Sequence, residues 1–396
     1  MSLALVASII VFGAGLAFFV ATRFAGGNVP DAAASSSPVA IASSAPPTPT
    51  PAPTATPEPT PSPTPALSLE QVIGQKLIVR MEGRTPSKTL LARARKGEIG
   101  GVVLFRFNVR GEKQLAAATR ALQDAAREGG QPPLLVMVDQ EGGGVRRLPW
   151  AQPVASATRM GRDMDADEVR SIGAATGTAL AAVGANVDLA PVADVPDDRQ
   201  SFMRDALRTL SSDPETVARL VTAFGEGLAS QDVLATVKHF PGIGRAAKNT
   251  DRFVETVRES RDALERDLAP FRAAIDAGVP IVMLSNVTYP AIDADNAAGW
   301  SRAISTDLLR DELGFTGVTI TDSLNGTANA RDVTPRSLAA RAAQAGTDLL
   351  MLTAPEASTA RVYEALLEEA RNGTLDRAVL ERSDERIRAL KATLGG

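Results

Sequence analysis

Four places in this 396-residue chain set polar, chemically capable side chains directly after an apolar run. LLVMV leads into Asp139-Gln140-Glu141 and three glycines, LATV into Lys238-His239, PIVML into Ser285-Asn286, and GVTIT into Asp322. His239 is the only histidine, and the loop after it, PGIGRAAKNTD, carries a single acid, Asp251. With no cysteine, thiolate nucleophiles, thiolate metal sites and disulfides are all excluded. One histidine leaves a zinc site to carboxylates almost alone, so no metal is expected. The chemistry within reach is proton transfer and polar binding by carboxylates, one imidazole and a few cations. A strand-end aspartate can equally cap the following helix, so no single placement decides between these roles.

These residues need a scaffold that brings strand ends to one rim. The apolar runs at 76–81, 100–105, 134–138, 186–192, 234–239, 280–284, 317–321 and 348–352 read as strands. Between them, 113–128, 166–182, 213–230, 257–277, 302–313 and 334–345 carry helical periodicity. The alternation predicts an α/β fold, a single (β/α)8 TIM barrel, with the four polar clusters at the C-terminal ends of its strands. A doubly wound open sheet is the alternative. It would usually carry a glycine-rich phosphate turn after its first strand, and MEGRTPS after KLIVRM is not one.

Composition sets the outer limits. Hydrophobic residues make up 44% and charged residues 22%, enough for a large core, and a net charge of -4 offers no basic surface for nucleic acid. Residues 3–22 are apolar without a charge, close to the roughly 20 needed to span a bilayer. We expect residues 1–26 to form a membrane anchor, with a cleaved signal segment as the rival, and residues 27–66, rich in Pro, Ala, Ser and Thr, to form a disordered stalk. The barrel then occupies 67–396, outside the cytoplasm, attached to the membrane through the N-terminal segment or secreted.

VDQEGGGVRRL (138–148), KHFPG (238–242) and GFTGVTITDSL (314–324) together resemble the motifs of glycoside hydrolase family 3, closest in type to the single-barrel bacterial β-N-acetylglucosaminidases. IGGVVLFRFN, VDLAPVADV, AGVPIVMLSNVTYPAID and AGTDLLML follow in the family's order, so the resemblance covers essentially all of 67–396. It implies a monomeric glycosidase acting on a carbohydrate substrate without cofactor, plausibly releasing N-acetylglucosamine from cell-wall fragments. By the same resemblance Asp322 matches a carboxylate nucleophile, which suits retaining hydrolysis. Asp139 matches the acid that accepts hydrogen bonds from sugar hydroxyls, and Arg147, Arg208, Lys238 and His239 match polar donors around the sugar. Arg208 lies in LRTLSSDP where the family has R-S-F-G, Gly144 replaces an arginine, and Asn286 replaces a histidine.

The sharpest departure concerns the proton donor. The family's mobile loop carries D-S-H, whose histidine is the acid/base, whereas this chain reads Asn249-Thr250-Asp251 at those positions. Three readings stay open: Asp251 protonates the leaving group, another carboxylate enters from a different loop, or the barrel is a cell-surface protein that binds glycans without efficient turnover.

Overall fold

The computed structural model describes residues 67–197 and 199–394. The expected anchor and stalk, 1–26 and 27–66, lie outside the described residues, and among the described residues no helix is long and apolar enough to cross a membrane.

Eight parallel strands form the centre: β1 (Leu77–Arg80), β2 (Gly101–Leu104), β3 (Leu135–Val138), β4 (Val187–Asp188), β5 (Leu234–Phe240), β6 (Ile281–Leu284), β7 (Val318–Thr321) and β8 (Leu350–Leu352). They lie in the order β7-β6-β5-β4-β3-β2-β1-β8. The two ends of that order meet at an Ile320–Leu349 bridge, where Leu349 N–H donates to Thr319 O at 2.8 Å and Thr321 N–H to Leu349 O at 3.0 Å. The result is a nearly closed barrel wrapped by helices. All eight expected strands are present. β4 is the short one, because Pro191 has no N–H to give a ladder. Its neighbours still track it, with Leu189 N–H donating to Val138 O and Thr236 N–H to Ala190 O.

Alternation along the strands divides the apolar residues. Ile78, Val103, Met137, Met283, Ile320 and Met351 belong to the cluster that fills the barrel, while their neighbours Val79, Val102 and Val138 pack outward against the helices. The helices follow their own period. Glu112–Glu128 buries Leu115, Ala118, Thr119, Leu122, Ala125 and Ala126, one face at i, i+3 and i+4 spacing. The helix expected from residue 257 starts at Arg261 instead, capped by Ser260. Residues 255–257 are drawn off as extended chain, since Val257 N–H donates to Thr288 O and Thr288 N–H to Glu255 O.

The barrel's lower end is closed by the terminal helix Arg377–Ala392, which sends Ile387 and Leu390 into the interior cluster. A buried charge network locks it there. Asp348, fully buried, accepts from Arg310 Nη2 and Arg386 Nη2 at 2.7 Å each and from Thr319 N–H at 2.9 Å. Burial alone would raise the Asp348 carboxyl, yet the two guanidiniums hold it below the usual range. Removing the carboxylate leaves two arginines buried against each other. Asp348→Ala is therefore expected to cost about 3–5 kcal/mol of stability, read as a lower denaturant midpoint at unchanged slope. A loss below about 1 kcal/mol would show that the network does not hold the helix.

Candidate active site

The same alternation that fills the barrel aims its polar residues. Two positions past the last interior apolar residue, the next inward side chain emerges at the C-terminal mouth. Arg80 follows Ile78, Phe105 follows Val103, Asp139 follows Met137, Asp322 follows Ile320 and Thr353 follows Met351. All of them, with Glu141, Arg147, Arg208, Lys238, His239 and Asp251, line one cleft of about 670 Å³. The structure thus brings all seven expected site residues together. Ser285 and Asn286 do not line it. Ser285 Oγ lies 3.2 Å from the Tyr289 hydroxyl, which donates to Gly242 O and so braces the Pro-Gly turn; Asn286 Nδ2 donates to Ser323 O.

The floor is an ionic lattice. Lys238 Nζ, only 2% exposed, stands 2.8 Å from Asp139 Oδ1 and 2.6 Å from Glu141 Oε1. Arg147 Nη2 reaches Asp139 Oδ2 at 3.1 Å. Arg208 grips Glu141 with both Nε and Nη2 at 2.8 Å, a bidentate fork. Burial would lower the Lys238 ammonium, but the carboxylates of Asp139 and Glu141 hold it raised. Burial would likewise raise Glu141, and Arg208 with Lys238 overrides it, keeping that carboxyl well below the usual range. Arg208, expected among the sugar's donors, therefore spends its fork on Glu141. Sequence reasoning passed over Glu141, although it stands two residues past Asp139 and shares its face.

His239 is held from behind. Its Nδ1 lies 2.7 Å from Asp194 Oδ2, and Asp194 Oδ1 accepts from Ile243 N–H at 2.7 Å and His239 N–H at 3.3 Å. One buried carboxylate so fixes both the imidazole and the KHFPG turn, and Asp194 was also missed. Gly142, at φ +99, is required in the hairpin after β3, where a Cβ would stand 2.2 Å from Ala155 O.

Asp322 does not cap the helix that follows. The N-cap is Ser323, whose N–H donates to Asp322 Oδ1 at 2.7 Å, and Asp322 N–H donates to Leu284 O at 3.0 Å. Asp251 comes from the loop after β5. It is exposed as a residue and also lines the cleft. Withdrawal from water there and the Asp322 carboxylate push its carboxyl up to about 6. A carboxylate beside an acid that stays protonated in mildly acidic solution is the pairing that general acid catalysis requires.

Residues 68–390 match the family model described as the glycosyl hydrolase family 3 N-terminal domain. The chain is 36% identical over 288 residues to a β-hexosaminidase of Nitrosomonas eutropha, covering 70% of this chain and 80% of that one. It is 32% identical over 335 residues to an uncharacterized secreted glycosyl hydrolase of Arthroderma benhamiae, covering 83% and 95%. A solved family 3 β-N-acetylglucosaminidase from Paenibacillus superposes with a TM-score of 0.78 at 32% identity. That match covers 84% of this chain, which spans 64% of the Paenibacillus one.

Behind the lattice sits Asp188, fully buried, whose Oδ1 accepts from Gln140 N–H at 3.0 Å and whose Oδ2 has no partner. Burial pushes its carboxyl up to about 8. An acid raised on folding contributes stability in full below its unfolded value and loses it as pH climbs through the folded one. Between about pH 4 and 8 the wild type should therefore lose up to about 1.4 kcal/mol per pH unit relative to Asp188→Asn, which keeps the Oδ1 acceptor and does not titrate. Denaturation across that range checks it; a pH-independent difference between the two proteins would sink the assignment.

Proposed function

Because the chain belongs to glycosyl hydrolase family 3, we propose that this glycosidase removes terminal β-linked sugars with retention of configuration. Asp322 is the nucleophile and Asp251 the acid/base. Its named relatives support a β-N-acetylhexosaminide as substrate, plausibly N-acetylglucosamine on cell-wall fragments, with the changes at Gly144 and Asn286 leaving room for another β-hexoside. The observation that carries the reading is Asp251 in one cleft with Asp322, its carboxyl raised to about 6 by burial and by that neighbour.

In the first step an Asp322 carboxylate oxygen bonds to the anomeric carbon. The glycosidic bond breaks, and its electron pair stays on the leaving oxygen, which takes the proton of Asp251. In the second step the Asp251 carboxylate removes a proton from water, the water oxygen bonds to the anomeric carbon, and the bond to Asp322 breaks. The first displacement inverts the anomeric carbon and the second, from the opposite face, inverts it back, so the β configuration is retained. Asp139, Arg147, Lys238 and His239 hold the sugar's hydroxyls, and Arg208 holds Glu141 so that Lys238 keeps its place. The secreted relative supports action outside the cytoplasm, to which residues 1–26 as anchor and 27–66 as stalk would tether the 67–396 barrel.

A panel of nitrophenyl and alkyl β-glycosides tests this. Asp322→Asn should lose several orders of magnitude on every substrate while the protein still melts cooperatively. Asp251→Ala should lose about 10²–10⁴-fold on alkyl glycosides and little on nitrophenyl ones, whose leaving group needs no proton. That small loss refers to kcat/KM; the variant's kcat on nitrophenyl substrates should fall, because the second step lacks its base, and azide should partly restore it. Since Asp251 must enter protonated, wild-type kcat/KM on alkyl glycosides should fall as pH rises through about 6. Equal losses across all leaving groups would remove Asp251 from proton transfer, and glycan binding without turnover of any nitrophenyl glycoside would leave a binding protein.

A further inference from the structure

Gly326 stands in the helix Leu324–Ala330, four residues past Asp322, with the Asp251 loop directly against it. A Cβ placed on Gly326 would lie 2.9 Å from the Asp251 carbonyl oxygen, 3.1 Å from the Asp251 Cβ and 3.2 Å from its Cα. Gly326 is the third residue of this seven-residue helix and has no positive φ to call for glycine, so the helix itself gains nothing from glycine over alanine here. We propose that Gly326 is a positioning residue: its missing side chain is the seat that lets the Asp251 loop close down beside Asp322. The proposal rests on Asp251 being the proton donor.

The fit is forced, because the helix cannot retreat. Asn325 Oδ1 accepts from Thr353 N–H at 2.6 Å and Ala354 N–H at 3.0 Å, binding the helix to the end of β8. Ser323 Oγ lies 2.7 Å from Thr353 Oγ1, Asn286 Nδ2 donates to Ser323 O, and Leu324, Thr327 and Ala328 are buried beneath. The loop, by contrast, is a unit that can tilt. Its tip is a tight turn in which Asn249 Oδ1 accepts from Asp251 N–H at 2.9 Å and Asn249 O from Arg252 and Phe253 N–H. Its base is tied by Ala247 N–H to Glu255 Oε2 and by the Thr256–Thr288 bridge. A methyl group at 326 therefore lifts the tip as a whole and carries the Asp251 carboxyl away from the leaving group.

Gly326→Ala tests the seat, alone and combined with Asp251→Ala. The single variant should melt no lower than wild type, lose about 10²-fold in kcat/KM on alkyl β-glycosides and lose little on nitrophenyl ones. Its basic pH limb should move to lower pH, as Asp251 draws away from Asp322 and into water. In the Asp251→Ala background the same change should cost nothing further, since Gly326 acts only through that carboxyl. Full activity of Gly326→Ala on alkyl glycosides, beside a leaving-group split in Asp251→Ala, would overturn the seat and leave Asp251 as the acid. Equal losses on both substrate types, or an additive loss in the double variant, would make Gly326 merely structural. Absence of the split in Asp251→Ala itself would bring down the acid assignment and the seat together.

Discussion

Lys238, buried between Asp139 and Glu141, is the contact on which the mouth of the barrel depends. An ammonium this deep is tolerable only while both carboxylates face it, and those carboxylates in turn need Arg147 and Arg208. Two anions and three cations so hold one another at fixed positions at the ends of strands or in the loops beyond them. The lattice fixes the hairpin after β3, the end of β5 and the loop carrying Arg208 against one another. It also leaves an excess of positive charge beneath the place where Asp322 and Asp251 stand together.

Much of this was legible because the barrel's geometry is periodic. Apolar runs of strand length alternating with helical patterns placed all eight strands, and the position of Asp139 and Asp322 directly after such runs carried them to the mouth without any knowledge of neighbours. Glu141 and Asp194 were not legible in the same way. Their roles come from partners 67 and 45 residues away, Arg208 and His239; for Glu141 the one local signal is its spacing of two from Asp139, and Asp194 has none. The Asp194 carboxylate is visible in the sequence only as the end of PVAD. The helix boundary at 257 failed for a related reason: a long-range pairing with Thr288 outcompeted a local preference.

The two ends of the barrel use buried charge differently. At the lower end Asp348 is saturated by Arg310, Arg386 and Thr319, and the terminal helix seals it from water. At the upper end the lattice is ion-paired but keeps spare capacity, Arg147 Nε being buried without a partner, and Asp322 and Asp251 are not part of it. Asp322 accepts one backbone N–H from Ser323, and among the described residues no ion pair reaches Asp251. Saturation makes a carboxylate inert and rigid, which suits a lock. A group that must form a bond or pass a proton has to be left with capacity to spare.

The two free carboxyls also divide along the line of what carries them. Asp322 sits one residue past β7, tied by its N–H to Leu284 on β6, so its position is set by the sheet. In the proposed role of nucleophile, which must meet one carbon along one direction, Asp322 gains from that rigidity. Asp251 sits on a turn whose base is tied and whose tip rests on a glycine. A proton donor has to admit the substrate beneath it, then face the leaving oxygen, and later release a proton-bearing product and accept a water. A loop can do this and a strand cannot. The same placement sets its acidity, because in it the Asp322 charge bears on Asp251 and raises its carboxyl.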